Sequence, residues 1–272
     1  MLLSQILVYP IKSLDGVAVK EARMTSGGIL EFDRIYAIVD ESGAYVNGKR
    51  TSRVHLLRTT FDPQFREVCI WQMGDSTRHH FSLKEPFALN QWLSDFFGFG
   101  VKLISEPTSG FPDDRTAFGP TITSEASLKT VADWFPEMNL ESARRRFRSN
   151  LEIADVPPFW EDHLFAAAGE LKPFQIGDVL FHGHNPCQRC VVPTRDPDRS
   201  ESIPSFQKTF MDFRKKNLPI WSNSDRFNHY YRFAINTSVP DSEARSSRPS
   251  AYLSCMARWT GGLHQRIRAG LR

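Results

Sequence analysis

Short β-like runs separated by turn residues fill roughly the first 85 residues, and this pattern restricts the fold more than any other feature of the sequence. Asp15-Gly16, Gly27-Gly28 and Ser42-Gly43 lie between the runs and are typical of turns. Several short strands at such spacing indicate an all-β barrel or sandwich. The runs cover residues 6–9, 17–22, 35–39, 56–61 and 68–72.

Helical periodicity appears later in the chain, mixed with further strand-like runs. Apolar residues recur at three-to-four spacing in residues 86–97, 124–135 and 202–216, and the third of these segments would turn Phe206, Phe210 and Phe213 inward. Gly98 follows the first segment and suits a helix end. The strand-like runs lie at residues 150–153, 175–181, 190–193 and 230–235.

These patterns predict an α+β fold with β-barrel character, organised in two packed units and a tail. The first unit is expected over residues 1–100, the second over 101–240, and an Arg- and Ser-rich tail over 241–272. At 40% hydrophobic, with 21 Phe and 6 Trp, the chain can fill real cores.

Charge and apolar run length argue against two classes of partner. The tail holds six Arg against one Asp and one Glu, so the preceding part of this +3 chain is nearly neutral. A nucleic-acid-binding face would need an excess of Lys and Arg there, and we expect no nucleic acid. No apolar run reaches the roughly 18 residues that span a bilayer, and the opening residues lack a basic region and a cleavage site, so we expect no membrane span.

The four cysteines are too few for a disulfide scaffold and fit a reducing, cytoplasmic compartment. Two of them, Cys187 and Cys190, lie with Arg189 and two histidines in the nine-residue segment His-Gly-His-Asn-Pro-Cys-Gln-Arg-Cys that begins at His182. A nearby guanidinium favours a thiolate, which is both a nucleophile and a ligand for soft metals. This segment is the strongest local signal for chemistry.

Several interpretations of the two cysteines compete. Structural zinc would use both thiols and histidines such as His79, His80 or His163, but a second cysteine pair is missing. A thioredoxin-like pair needs a helix after the first cysteine, and the Val-Val-Pro run that follows disfavours one. Inert, buried thiols would leave the polar neighbours unexplained.

The run from Cys187 to Asp198, Cys-Gln-Arg-Cys-Val-Val-Pro-Thr-Arg-Asp-Pro-Asp, resembles the signature of MOSC proteins, a family named for the molybdenum cofactor sulfurase C-terminal domain. The second cysteine of that signature binds molybdenum. The resemblance therefore implies that Cys190 is the metal ligand and the catalytic residue, and that Cys187 is a neighbour that the family pattern does not require.

Further blocks resemble the same family in the same order, over about residues 1–239. The segments 9–13 and 32–36 resemble the N-terminal barrel that accompanies MOSC domains in mitochondrial amidoxime-reducing components and their bacterial relatives. The segments 123–128, 147–150 and 176–178 resemble the MOSC domain itself, with Ser149 where the family usually has Pro. By this resemblance residues 1–100 are the N-terminal MOSC barrel and residues 101–240 the MOSC domain.

The resemblance also implies a binding site for molybdenum with molybdopterin, a pterin that bears a phosphate and a polar ring. Such a ligand needs fixed cations and many hydrogen-bond donors. Two of the implied residues, Thr123 and Ser124, lie at a helix start, which favours an anion, although they equally fit a simple helix cap. The implied cofactor-binding residues are Lys12, Ser13, Arg34, Thr123, Ser124, Arg148 and Asn150.

The function implied is a molybdenum-cofactor-dependent oxidoreductase that reduces small N-hydroxylated compounds by oxygen-atom transfer. The sequence contains no dinucleotide fingerprint and no ferredoxin-type cysteine run, so a separate flavin or iron-sulfur reductase is the expected electron donor. The alternative is a cofactor carrier or sulfur-handling module that binds without turnover.

Two segments are harder to interpret. Trp160-Glu-Asp-His163 resembles an acidic stretch of the family that could position cofactor or protons, but it fits a solvated loop equally well. The tail from Ser242 lacks the Gly-Asp-containing final strand that the family usually has. We expect it to be disordered or to complete the sheet in another way.

Overall fold

The computed structural model describes residues 1–240, 252–255 and 259–261 and confirms the predicted α+β class. The four helices are α1 (Phe87–Phe97), α2 (Glu125–Ala132), α3 (Leu140–Phe147) and α4 (Phe206–Lys216). The strands are β1 (Leu2–Val8), β2 (Val17–Val19), β3 (Glu21–Arg23), β4 (Tyr36–Asp40), β5 (Leu57–Phe61), β6 (Glu67–Gln72), β7 (His79–Ser82), β8 (Val101–Ser105), β9 (Ile122–Ser124), β10 (Leu151–Ala154), β11 (Lys172–Ile176), β12 (Val179–Gln188), β13 (Arg232–Ser238), β14 (Tyr252–Ser254) and β15 (Trp259–Gly261).

The largest sheet has eight strands in the order β15-β11-β12-β13-β9-β10-β1-β2. Strand β1 pairs antiparallel with β10, whereas β9 and β10 are parallel. The pairings in the described part of the chain leave the two ends of this sheet unjoined. Its apolar face carries a core that includes Ile6, Ile122, Phe181 and Ile235, each fully buried. The first strand of the chain is thus part of a sheet formed mostly by residues beyond 120.

Smaller sheets and α1 surround a second core. β4 pairs with β8, and β5, β6 and β7 form an antiparallel meander. Helix α1 packs Leu89 and Leu93 into this core and ends at Gly98, whose φ of 80° suits glycine because it has no Cβ. The predicted helix at this position is confirmed. β8 belongs to this second core through Val101 and Leu103.

Helices α2, α3 and α4 share a third, aromatic core. The predicted helices at 124–135 and 202–216 are confirmed in shorter form. Phe206 and Phe210 are buried as expected, but the inward placement of Phe213 is wrong, since this residue is 38% exposed. Helix α3 was not predicted, because its sequence is mostly polar and only Ala143, Arg146 and Phe147 are buried.

Three other segments have a secondary structure that differs from the one predicted from the sequence. The predicted strand at 190–193 is wrong, since Val192–Thr194 forms a 3₁₀ turn with a proline in it. The predicted strand at 175–181 is instead a hairpin that turns at Gly177, with φ of 56°, between β11 and β12. In the tail, β14 pairs with β3 and β15 with β11, and the rest of residues 241–272 lies outside the described residues. In the described part of the tail, two short strands therefore extend the sheets.

None of the helices in the described residues is both long enough and apolar enough to cross a bilayer.

Candidate functional site

A cavity of about 980 Å³ lies between residues of the two predicted units. Six of the eight residues implied by the resemblance line it, whereas Thr123 and Ser124 do not. Arginine and lysine outnumber aspartate and glutamate on its surface. The predicted residues on the cavity are Lys12, Ser13, Arg34, Arg148, Asn150 and Cys190.

Cys190 lies just beyond the end of β12, in a segment held by backbone hydrogen bonds. The N–H of Arg189 donates to the carbonyl of Tyr231 at 3.0 Å, and the N–H of Thr194 donates to the carbonyl of Val191 at 3.0 Å. Cys187 and Cys190 are both free, partly exposed and on the cavity. This placement does not fit inert, buried thiols.

Arg189 links Cys187 to the end of α3. Its Nη1 donates to Cys187 Sγ at 3.4 Å and its Nη2 donates to the carbonyl of Phe147 at 2.5 Å. In the described residues, no group of three or more His, Cys, Asp or Glu side chains is arranged to hold a metal ion. Among the described residues, Cys187 and Cys190 are thus the thiols that line this part of the cavity and could hold a soft metal.

Three of the predicted cofactor residues have left-handed backbone conformations. The φ angles are 74° at Ser13, 52° at Arg34 and 54° at Arg148. This region is unfavourable for residues with a Cβ, and such residues cluster at ligand sites where the surrounding fold holds them. Arg148 has this conformation because it ends α3 as its C-cap, with its N–H donating to the carbonyl of Arg144.

Tyr9 supports the two arginines. Its ring centroid lies 4.1 Å from the Arg148 guanidinium carbon and 5.0 Å from that of Arg34. Burial raises the pKa of Tyr9 to about 12 against the opposing effect of both arginines, so the phenol stays protonated and donates to the carbonyl of Ser149 at 3.2 Å. A Cβ at Gly16 would come within 2.5 Å of this ring. Tyr9 thus fixes both guanidinium groups at the cavity through cation–π contacts.

Several guanidinium nitrogens at the cavity are buried but have no hydrogen-bond partner in the described residues. They are Nη2 of Arg148 and the Nε atoms of Arg58, Arg189 and Arg232. Burial lowers the pKa of Arg148, yet an arginine remains charged at neutral pH. Buried donors of this kind cost free energy unless a ligand accepts from them. The cavity therefore fits an anionic, hydrogen-bond-accepting ligand such as a phosphate-bearing pterin.

Lys12 and Asn150 are already engaged by protein groups. Lys12 Nζ donates to the carbonyl of Phe111 and to Asp113 Oδ1, both at 2.8 Å. Asn150 Nδ2 donates to the carbonyl of Leu7 at 3.0 Å, and its Oδ1 accepts from Arg34 Nη1 at 3.3 Å. Asn150 thus positions Arg34, and Lys12 has one remaining N–H for a ligand.

Thr123 and Ser124 are fully buried, do not line the cavity, and form hydrogen bonds with other groups of the protein. Thr123 Oγ1 donates to Glu161 Oε1 at 2.9 Å. Ser124 caps α2 by accepting from the N–H of Ser127 at 3.1 Å. The structure therefore does not bring these two residues to the cavity with the other six: the helix start faces a buried carboxylate of the protein, which accepts from Thr123.

The segment Trp160–Leu164 is a buried 3₁₀ turn rather than a solvated loop. Glu161 also accepts from Ser127 Oγ at 2.9 Å, and burial raises its pKa. Asp162 forms a buried ion pair with Arg214 at 2.5 Å. Both carboxylates are engaged inside the protein, so this segment holds the fold together.

His55 and Arg58 lie on the cavity but have no counterpart among the predicted residues. Burial lowers the pKa of His55 to about 4, with Arg195, Arg148 and Arg58 adding to the effect, so the ring is neutral at pH 7. Arg58 contacts Asp15 at 3.3 Å and Asp198 at 3.1 Å. It thereby connects β5 to the segment that follows Cys190.

Two stretches of the chain match known protein domains. Residues 1–91 match the MOSC N-terminal beta barrel domain, and residues 116–240 match the MOSC domain. The chain belongs to the MOSC family and carries both domains, with Cys190 inside the second.

Similar proteins fall into two groups. The chain is 22% identical to molybdenum cofactor sulfurase of Oryza sativa subsp. japonica over 262 residues, which cover 79% of this chain but 31% of that protein. It is 24% identical to mitochondrial amidoxime-reducing component 1 of Homo sapiens, with 84% of this chain and 77% of that protein covered. Identity to mitochondrial amidoxime reducing component 2 of Bos taurus is 25% over the same shares. The chain thus spans about a third of the sulfurases it matches and most of the amidoxime-reducing components.

Proposed function

We propose that this protein is a molybdenum-cofactor-dependent oxidoreductase that reduces N-hydroxylated compounds, with the Cys190 thiolate as the protein ligand to the metal. The observation that carries the proposal is a partly exposed thiol on a large cavity whose buried guanidinium groups lack partners. The similarity to amidoxime-reducing components over most of their length supports the choice of reaction.

In this proposal Arg148 and Arg34 bind the phosphate of molybdopterin. Arg148 Nη2 is the donor without a protein partner, and Tyr9 holds both guanidinium groups in place. The free N–H of Lys12 and the hydroxyl of Ser13 add donors at the same cavity. Asn150 contributes indirectly, because its Oδ1 accepts from Arg34 and orients that side chain.

The bound cofactor would supply two-electron oxygen-atom transfer. The overall reduction consumes two electrons and two protons, and converts the N–OH group to N–H with release of water. Around this chemistry, the chain provides a neutral His55 and a surplus of arginines, and the arginines would stabilise negative charge on the oxygen of a bound substrate.

Electrons would come from a separate flavin or iron-sulfur reductase, since the sequence offers no binding motif for either group. The four cysteines are free in the structure, which supports a reducing, cytoplasmic compartment.

A carrier or sulfur-handling role without turnover is the second candidate. The similarity to molybdenum cofactor sulfurases over 79% of this chain favours it, although the match covers only 31% of the sulfurase. The two candidates share the bound cofactor and differ in turnover.

The test is metal analysis of the full chain, expressed in a host that makes molybdopterin, beside Cys190→Ala. We expect near one molybdenum per wild-type chain and a large loss in the variant, while Cys69→Ala, a partly exposed thiol away from the cavity, keeps the metal. Equal molybdenum in wild type and Cys190→Ala would contradict the assignment of the ligand.

Loaded protein is then given benzamidoxime with a chemical reductant. Reduction supports the oxidoreductase, whereas full loading without reduction of any N-hydroxylated compound favours the carrier.

A further inference from the structure

One part of the cavity differs from its arginine-rich remainder. Trp71 and Met73 line it from β6 and the turn that follows, beside Val54 and Leu57. This part offers an aromatic and apolar surface next to the cations.

Trp71 is not needed for the core of its own sheet. The opposite face of β6 carries Val68 and Ile70, which are fully buried, whereas Trp71 is only partly buried. Successive residues of a strand face opposite sides, so Trp71 faces away from this core and toward the cavity. A large aromatic side chain at such a position is available to a ligand.

Neighbouring strands fix the position of the indole. Arg58 lies directly opposite Trp71 on β5, and the pairing of Ile70 with His79 places Arg78 next to Trp71 on the other side. The Arg78 guanidinium carbon lies 4.0 Å from the Trp71 ring centroid. Arg58 is itself held by Asp15 and Asp198. Trp71 therefore stands in a row between two arginines, one stacked on its ring and one tied to the segment after Cys190.

We propose that Trp71 is the specificity-determining residue of this site and contacts the planar aromatic part of the substrate, so that aryl N-hydroxylated compounds are preferred over small aliphatic ones. This inference rests on the proposed function. An aromatic ring against Trp71 gains contact area and offset stacking, while a small aliphatic group cannot reach this surface with comparable area.

The experiment compares benzamidoxime with acetamidoxime, which carry the same reacting group. In Trp71→Ala we expect kcat/KM for benzamidoxime to fall roughly tenfold or more, mainly through KM, and kcat/KM for acetamidoxime to stay within about twofold. Trp71→Phe keeps a planar ring and should recover most of the loss. An unchanged ratio of the two substrates in Trp71→Ala would overturn the inference while leaving the proposed function standing.

Trp92→Phe is the matched control for Trp71→Phe. Trp92 lies on α1, stacked on Phe96 at 5.8 Å, and does not line the cavity. Molybdenum content and the far-ultraviolet spectrum of each variant show that loading and fold are intact. A change of the substrate ratio in Trp92→Phe as large as that in Trp71→Ala would also overturn the inference, since it would show a general effect of losing an indole.

Binding by calorimetry separates this inference from the proposed function. If the loaded wild type binds benzamidoxime more tightly than acetamidoxime, loses that preference in Trp71→Ala, and reduces neither compound, then the proposed reaction fails and the aryl-binding role stands. If the wild type binds both compounds equally, the aryl-binding role fails whatever the activity.

Discussion

Arg148 and Arg214 are both largely withdrawn from water, but the regions around them differ. Arg214 is 1% exposed, pairs with Asp162 at 2.5 Å, and lies 4.1 Å from the ring centroid of Phe159. Arg148 makes no ion pair in the described part of the chain, and its Nη2 is buried without an acceptor. Its guanidinium carbon lies 4.1 Å from the ring centroid of Tyr9.

Buried charges therefore have two different roles in this protein. In the aromatic core, Arg214 has a carboxylate partner, although its Nε and Nη1 make no hydrogen bond in the described residues, and removing either member of the pair leaves the other charge uncompensated. At the cavity, positive charge is held in place by an aromatic ring and backbone geometry, and its donors are left for a ligand. The core charges therefore maintain the fold, and the cavity charges cost stability that ligand binding can recover.

The largest effect on stability should come from Arg214→Met. This change leaves Asp162 buried without its cation, and we expect a loss of about 3–5 kcal/mol in the free energy of unfolding. Urea denaturation of the variant measures it. A loss below about 1 kcal/mol would mean that water reaches Asp162, and would remove the contrast between the two regions.

A pH-dependent effect should follow from His55 at the cavity. Its pKa is lowered from 6.5 to about 4 in the folded protein, so between these values the unfolded chain binds the proton and the folded chain does not. Stability should therefore fall as pH drops from about 7 to 4, by about 2–3 kcal/mol from this residue. In His55→Phe the fall should be smaller by that amount, as measured by denaturation at several pH values. Parallel curves for wild type and variant would contradict this.

A smaller effect is expected from Thr123→Val, which keeps the shape of the side chain but removes a donor to Glu161. The cost should be about 1–3 kcal/mol, because a buried carboxyl oxygen loses its partner. Molybdenum content should not change, since Thr123 does not line the cavity. A drop in bound cofactor without loss of stability would show that Thr123 contributes to cofactor binding.

The smallest change in stability is expected from Arg148→Met. Removing an unpaired buried charge should alter the free energy of unfolding of the cofactor-free protein by less than about 1 kcal/mol, or raise it. Cofactor retention during gel filtration should nevertheless fall, because the phosphate loses its buried donor. Strong destabilisation with normal cofactor retention would place Arg148 with the core charges instead.

Local sequence patterns predicted the helices and strands that depend mainly on neighbouring residues. The helix at 86–97, with its glycine end, and most short strands were confirmed because apolar periodicity and turn residues act over a few positions. The cysteine segment stood out because five chemically active side chains lie within nine residues. Six of the eight implied site residues line one cavity, a grouping that came from the family resemblance and not from periodicity.

The remaining features depend on long-range contacts. A helix start predicts an anion site, but only the fold shows that Thr123 donates to Glu161, 38 residues later in the chain. Helix α3 escaped detection because a buried arginine, Arg146, occupies a position where periodicity needs an apolar residue. His55 and Trp71 carried no signal, because a 3₁₀ turn brings His55 and strand β6 brings Trp71 to the cavity from segments with no motif of their own.

The position of β1 in the large sheet determines which fragments of the protein can be expressed separately. β1 lies between β10 and β2, and β10 is made about 145 residues later than β1 during synthesis. β2 follows β1 directly and can pair with it early, but the other edge of β1 stays unpaired until β10 is made, and long-range pairing of this kind folds slowly. A fragment that begins near residue 100 would expose the edge of β10, where another chain can add a strand and aggregate. The second domain should be expressed with residues 1–19 attached, as a fusion or by co-expression, rather than on its own.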